Sequence, residues 1–302
     1  MKAMILAAGL GTRLRPLTAE KPKALIPVVN RPIISRNIDY LTTHGFDDII
    51  VNTHHHFQQI LDYLDGGTPF GVNIDVRVEP EILGTGGGIK NCSDFLDGES
   101  FIVINSDILT DISLERAYDN HKRSGSIATL VLHNCEPFNQ IRIDNHSRVV
   151  DIASQKGRDR LAFTGIHIME PDILSHIHKS GYSDIIDCYK GLISAGVPIN
   201  AYISERHYWH DIGNIESYIS ASGAILKLDD EPFVIGPCSY MDPSVRLEEW
   251  AIVGEKSCLE KGAELKRSIL WDNVRVKTGT RIKDSIVTSF NEVTSDLNKE
   301  IF

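Results

Sequence analysis

Residues 4–18, MILAAGLGTRLRPLT, carry an apolar run into Gly9, Gly11, Thr12, Arg13 and Arg15. Glycines without a Cβ let backbone N–H groups close on phosphate oxygens. Arg13 can then meet triphosphate charge as a planar fork, and Lys23 as a point charge. Two common phosphate templates are excluded. No Gly-Lys-Ser/Thr follows four residues after a glycine, so the loop is not a P-loop. The third glycine of a dinucleotide fingerprint is replaced by Leu14. The bland alternative, a tight turn with solvated cations, accounts poorly for so many matching residues in one stretch.

Two further features point to phosphate chemistry. Asp107 follows the apolar run FIVINS, which places it at the carboxyl end of a parallel strand, where open α/β sheets bind ligands. A hard carboxylate there suits Mg²⁺, which takes one or two protein carboxylates and completes its shell with phosphate oxygens. Asp211, in WHDIG, is a second candidate far downstream. The run Gly84-Thr85-Gly86-Gly87-Gly88 reads as a glycine turn that opens a helix and lets a base, ribose or sugar approach closely.

Alternating elements must position these groups. Residues 2–8, DIIVNT, VNIDVRVE and FIVINSD read as strands. PIISRNIDYLTTHG, FQQILDYLDGG and the segment after Gly84 read as helices. The order predicts a Rossmann-like α/β fold, a mostly parallel sheet with helices on both faces. After residue 125, SIATLVLHN, QIRID, VVDIAS and LAFTGIHIM add strands to the same domain. From residue 232 apolar residues recur about every six positions, near Val234, Val245, Ile252, Leu259, Leu265, Val274, Ile282 and Val287. Gly236, Gly254, Gly262 and Gly279 fall at turns. This predicts a short left-handed parallel β-helix of hexapeptide-like coils. The acidic linker KLDDEP separates a catalytic domain, 1–228, from the β-helix domain, 232–302.

Composition narrows the function classes. The chain has 302 residues, 42% hydrophobic and 24% charged, as a globular protein requires. A net charge of -10 argues against a general nucleic-acid partner. Five scattered cysteines without a CxxC pair fit reduced thiols in the cytoplasm. No run is long enough for a membrane span, and the glycine-interrupted amino terminus is no signal peptide. The run His54–His56 reads as a strand-to-helix loop, because neighbours on a strand point to opposite faces. His210 reads as structural, and Trp250 and Trp271 as packing or subunit contacts.

LAAGLGTRLRPLTAEKPKALIPV resembles the signature of the sugar-1-phosphate nucleotidylyltransferases. The similarity continues more loosely through ILGTGGGI, VINSDIL, FTGIHIM and YWHDIGNIESY, over residues 1–225, and a β-helical tail also occurs in that family. The resemblance implies a reaction in which NTP and a sugar 1-phosphate give an NDP-sugar and pyrophosphate, with Mg²⁺ as cofactor. It implies Arg13 and Lys23 as catalytic residues, and nucleotide contacts at Leu6, Ala8, Gly9, Gly11, Thr12, Glu81 and Gly86. Sugar-phosphate contacts fall at Gly165, Lys156 and Asp184, and metal ligands at Asp107 and Asp211. SQKGRD keeps only the lysine of the Glu-Lys-Pro found in many relatives. Glu79 and Glu81 stand where some members present an amide to the base. Within the family the chain resembles the mannose-1-phosphate guanylyltransferases and the related uridylyltransferases; GTP with mannose 1-phosphate ranks first, and UTP with glucose or an amino-sugar phosphate next. The alternatives are a catalytically silent regulatory or scaffold relative, and cytidylyl transfer to a non-sugar phosphate such as phosphocholine. The implied partners are NTP and sugar 1-phosphate, with no nucleic acid and no membrane. The carboxyl-terminal domain is the candidate surface for a homo-oligomer.

Overall fold

A computed structural model describes residues 1–153, 159–178 and 181–302. The chain forms two compact units. The first comprises Met1–Leu10, Pro22–Ala24 and Ile34–His210, and the second Gly11–Lys21, Leu25–Ile33 and Asp211–Phe302.

The first unit is built on a nine-stranded sheet. Lys2–Leu6 lies between Asp48–Thr53 and Phe101–Asn105, parallel to both, and Asp48–Thr53 pairs in parallel with Asn73–Val78. The first three form because their apolar runs are continuous, as burial on both faces demands, while the edge strand Asn73–Val78 alternates polar and apolar residues. Ala3–Ile5, Ile49–Val51 and Phe101–Ile104 have no exposed surface. Helices α1 (Ile33–Thr43), α2 (Phe57–Leu64) and α3 (Gly84–Asn91) connect them, with a single turn, α4 (Ser93–Leu96), after α3. The expected mostly parallel α/β sheet is present, and it carries an antiparallel sector. That sector is organised by Leu161–Met169, which runs antiparallel to Phe101–Asn105, Ala128–His133 and Asn139–Ile143. Ile199–Ile203 closes the far side, parallel to Ala128–His133. Two longer helices, α5 (Leu114–Ser124) and α6 (Ile185–Ser194), complete this unit. Each is capped by a side chain, Ser113 for α5 and Asp184 for α6. One core cluster joins Met4, Ile50, Val103, Leu130, Tyr189 and Ile199.

In the second unit, helix α7 (Ile215–Leu228) opens with a capping box between Asn214 and Ser217. The strands after it stack in parallel across successive coils. Leu247 pairs with Leu265 and Leu265 with Ile282, steps of 18 and 17 residues. A second column runs Tyr240, Cys258, Arg275 and Glu292. Ile252, Leu259, Leu265, Val274, Ile282 and Val287 are buried, as the six-residue periodicity predicts, while Val234 and Val245 are half-buried. The acidic linker lies inside this unit because α7 packs on the coils. A Cβ at Gly223 would stand 3.3 Å from the Trp250 indole. Among the described residues no helix is long and apolar enough to cross a membrane.

His167, on Leu161–Met169, is fully buried and its Nδ1 meets the Tyr189 hydroxyl at 2.6 Å. Burial holds its imidazole neutral, with its pKa pushed down from 6.5 to about 3. The unfolded chain therefore binds a proton here that the folded chain refuses. Stability is complete above pH 6.5 and falls as the pH drops towards 3. For this one group the slope is about 1.4 kcal/mol per pH unit. Urea unfolding should show roughly 2 kcal/mol less stability at pH 5 than at pH 6.5 from this source. His167→Gln should flatten that slope, and an unchanged slope would refute the assignment.

Candidate functional site

The carboxyl ends of three parallel strands meet in one row. Leu6 stands in register with Asn52 on one side and Asn105 on the other. This is the end of an open α/β sheet where ligands bind. Just beyond the row, Ala7 N donates to Asn52 Oδ1 at 2.9 Å, which fixes the backbone that leads to Ala8 and Gly9. Asn52 Nδ2 donates to Glu79 Oε1 at 2.7 Å, and Leu83 N donates to Glu79 Oε2 at 3.1 Å. Glu79 is 1% exposed, so its carboxylate serves the protein's own donors. Glu81 is exposed.

The glycine run lies inside α3, and the close approach it permits is made by the chain itself. Gly86 N and Gly87 N both donate to Ser183 O, at 2.8 and 3.1 Å. A Cβ at Gly86 would stand 2.9 Å from Ser183 Oγ, and one at Gly84 2.6 Å from Ser183 O. A Cβ at Gly88 would stand 2.6 Å from Asn52 Nδ2 and 2.9 Å from Glu79 Oε1. Asp184 accepts from Ile186 N at 2.9 Å, capping α6, and from Thr85 Oγ1 at 3.1 Å. The structure thus brings Gly86 and Asp184 together across one helix contact.

Asp107 follows the Asn105 row, where Ser106 N donates to Leu6 O at 3.1 Å. Its carboxylate is paired with the Lys23 ammonium, both half-buried. Gly165 sits at a bulge in its strand with φ +81°, and a Cβ there would stand 2.9 Å from Asn105 Nδ2. Beside it Trp209 Nε1 donates to Thr164 O at 2.9 Å. His54 Nδ1 donates to Glu79 O at 2.8 Å, in the loop after its strand. Burial pushes the His210 pKa down.

In the second unit Gly11 takes a left-handed conformation, φ 60° and ψ 30°, and starts the turn Thr12–Leu14. Thr18 Oγ1 donates to Gly11 O at 2.9 Å and closes the loop. Leu14 and Leu17 are buried while Thr12 and Arg13 are exposed, so the loop is anchored by leucines and presents its cation outward. Asp211 is half-buried, and a Cβ at Gly213 would stand 2.8 Å from its Oδ1. Lys156 lies outside the described residues. Among the described residues no group of three His, Cys, Asp or Glu side chains is arranged to hold a metal by itself. One or two carboxylates with the remaining ligands drawn from substrate is a donor set that fits Mg²⁺.

Residues 2–227 match the nucleotidyl transferase family, and the chain belongs to it. It is 27% identical over 338 residues to a UTP–glucose-1-phosphate uridylyltransferase of Synechocystis sp., covering 95% of this chain and 87% of that protein. It is 29% identical over 312 residues to a mannose-1-phosphate guanyltransferase of Debaryomyces hansenii, covering 95% and 86%. A Bacillus anthracis chain described as a glucose-1-phosphate thymidylyltransferase, solved with a sucrose, superposes with a TM-score of 0.67 at 24% identity. That match covers 74% of this chain and 94% of the other, and bears on the fold.

Sequence reasoning missed Asn52, Asn105 and the structural work of Glu79. A usable signal was present, since DIIVNT and FIVIN both end an apolar run on a polar amide, as FIVINSD does on Asp107. Gly88→Ala tests the amide–carboxylate pair. The added methyl should force Asn52 and Glu79 apart and destabilise the fold by about 1–3 kcal/mol, read by denaturant unfolding. Wild-type stability in that variant would show that the pair adjusts freely.

Proposed function

We propose that this chain transfers a nucleotidyl group from an NTP to a sugar 1-phosphate, giving an NDP-sugar and pyrophosphate. The observation that carries the reading is the Lys23–Asp107 pair at the carboxyl end of the parallel strands, in a nucleotidyl transferase chain with a Gly-x-Gly-Thr-Arg loop. The proposed nucleotide contacts are Leu6, Ala8, Gly9, Gly11, Thr12, Glu81 and Gly86, and the sugar-phosphate contacts are Gly165, Asp184 and Lys156.

The chemistry needs no protein nucleophile. A sugar phosphate oxygen attacks the α-phosphorus in line with the departing pyrophosphate, and catalysis consists of positioning and charge stabilisation. Arg13 binds pyrophosphate oxygens through its fork, and Lys23 stabilises them as a point charge. Mg²⁺ held by Asp107, with Asp211 as the second ligand, would supply neutralisation of phosphate charge. Lys23 is paired with the Asp107 carboxylate and orients it.

GTP and mannose 1-phosphate are the preferred substrates on this reading, supported by the mannose-1-phosphate guanyltransferases among the relatives. UTP with glucose 1-phosphate is the second, supported by the Synechocystis relative. The parallel coils are read as a left-handed β-helix on their 17- and 18-residue steps.

Pyrophosphate release from each NTP with a panel of sugar 1-phosphates and Mg²⁺ tests the function. One NTP and one sugar phosphate should stand out, and silence across the panel would favour a regulatory relative. Arg13→Ala should lower turnover at least ~100-fold with the fold intact, on the scale of one lost transition-state contact. Asp107→Asn should raise the Mg²⁺ needed for half-maximal rate about tenfold, the loss of one charge-assisted contact. Near-normal turnover in Arg13→Ala, or an unchanged Mg²⁺ requirement in Asp107→Asn, would remove those residues from the mechanism.

A further inference from the structure

The loop that carries Arg13 is followed by a hairpin, and both fold with residues from the far end of the chain. Pro27–Val28 pairs antiparallel with Arg31–Pro32. The two residues between them, Val29 and Asn30, have φ 50° and 57°. A β-branched residue at positive φ is an outlier that persists only where its surroundings over-determine it. Three contacts supply that constraint. Asn30 Nδ2 donates to Val253 O in the coils at 2.7 Å. The Tyr218 hydroxyl on α7 donates to Pro27 O at 2.6 Å. That same hydroxyl accepts from Trp271 Nε1 at 3.1 Å, so both partners hold it in one orientation.

The Trp271 indole also meets the phosphate loop. Lys21 Nζ, at the end of the segment Gly11–Lys21, stands 5.8 Å from the ring centroid, within cation–π range. Tyr218 is fully buried and Trp271 nearly so, which leaves neither polar group a solvent partner if the other is removed. These contacts tie the hairpin that follows the Arg13 loop, and the Lys21 side chain at the end of that loop, to α7 and the coils.

We propose that Tyr218, Trp271 and Asn30 are positioning residues for Arg13, so that α7 and the coils form the scaffold of the phosphate loop. The proposal rests on the transferase reading above. A guanidinium fork must be held within a fraction of an ångström to meet pyrophosphate oxygens with two bonds. Leu14 and Leu17 anchor the loop at two points, and the exposed cations between and beside them gain further rigidity only from the scaffold.

The test uses the full chain with Mg²⁺ and inorganic pyrophosphate, the product common to every NTP. Tyr218→Phe removes the shared hydroxyl. Asn30→Gly removes the amide while tolerating the left-handed backbone. Each should weaken pyrophosphate binding by calorimetry about tenfold, and lower kcat with little change in KM for the sugar 1-phosphate. In an Arg13→Lys background, which has already lost the fork, each should cost less than about twofold more. Val293→Ala, in the coil core away from these bonds, should lower Tm and leave pyrophosphate binding unchanged. Additive losses with Arg13→Lys, or an equal binding loss in Val293→Ala, would reduce the three residues to a general stabilising role. Wild-type activity that survives Tyr218→Phe and Asn30→Gly intact would overturn the positioning alone. A wild-type chain that neither binds pyrophosphate nor transfers would overturn the transferase reading and the positioning together.

Discussion

The register of three parallel strands is the constraint on which the first unit depends. With Leu6 between Asn52 and Asn105, the three chains leave the sheet side by side. A slip by one residue would carry Asn52 and Asn105 away from the strand ends and break the Ala7–Asn52 bond. The functional groups all follow from this edge. Ala7 is tied to Asn52, Asp107 stands two residues past Asn105, and Gly165 comes close to the Asn105 amide. Polar side chains at strand ends form the boundary between the dry sheet and the loops that leave it.

Close packing explains the glycines of α3 more fully than an open cradle does. Ser183, Asn52 and Glu79 occupy the volume that side chains at Gly84, Gly86 and Gly88 would need. The helix thereby reaches both the α6 start and the buried amide–carboxylate pair. Glu79 accepts from a side chain and a backbone N–H, and Asp184 does the same. A satisfied network of this kind rigidifies the helix on which Gly86 sits. Glycine is required at these positions by the protein's own atoms, whatever ligand the site takes.

The second unit answers a different problem, the support of a loop with little apolar content. Its coils are stacked on Leu265, Ile282 and Leu297, one above another. On the surface, Arg267 bridges Glu249 and Asp284 from the neighbouring coils. Such exposed ion pairs add little to stability individually, so the apolar column is the main source of rigidity. Trp250 and Trp271 extend that column towards α7, by packing at Gly223 and by the bond to Tyr218.

Sequence alone determined much of this. The apolar runs fixed the parallel strands, because burial on both faces leaves only continuous hydrophobicity as a workable pattern. The six-residue rhythm marked the stacked coils, and the run from Gly9 to Lys23 marked the chain's membership in the nucleotidyl transferase family, since both are local regularities. Tertiary structure alone decided three things. It gave Glu79 to Asn52, gave the α3 glycines to Ser183, and joined the hairpin at Asn30 to Val253, 223 residues away. Those partners meet through a few hydrogen bonds between distant groups, backbone to backbone at Ser183 and from side-chain amides at Asn52 and Asn30. Such contacts have no period and no preferred spacing along the chain, so only the folded path of the backbone brings them together.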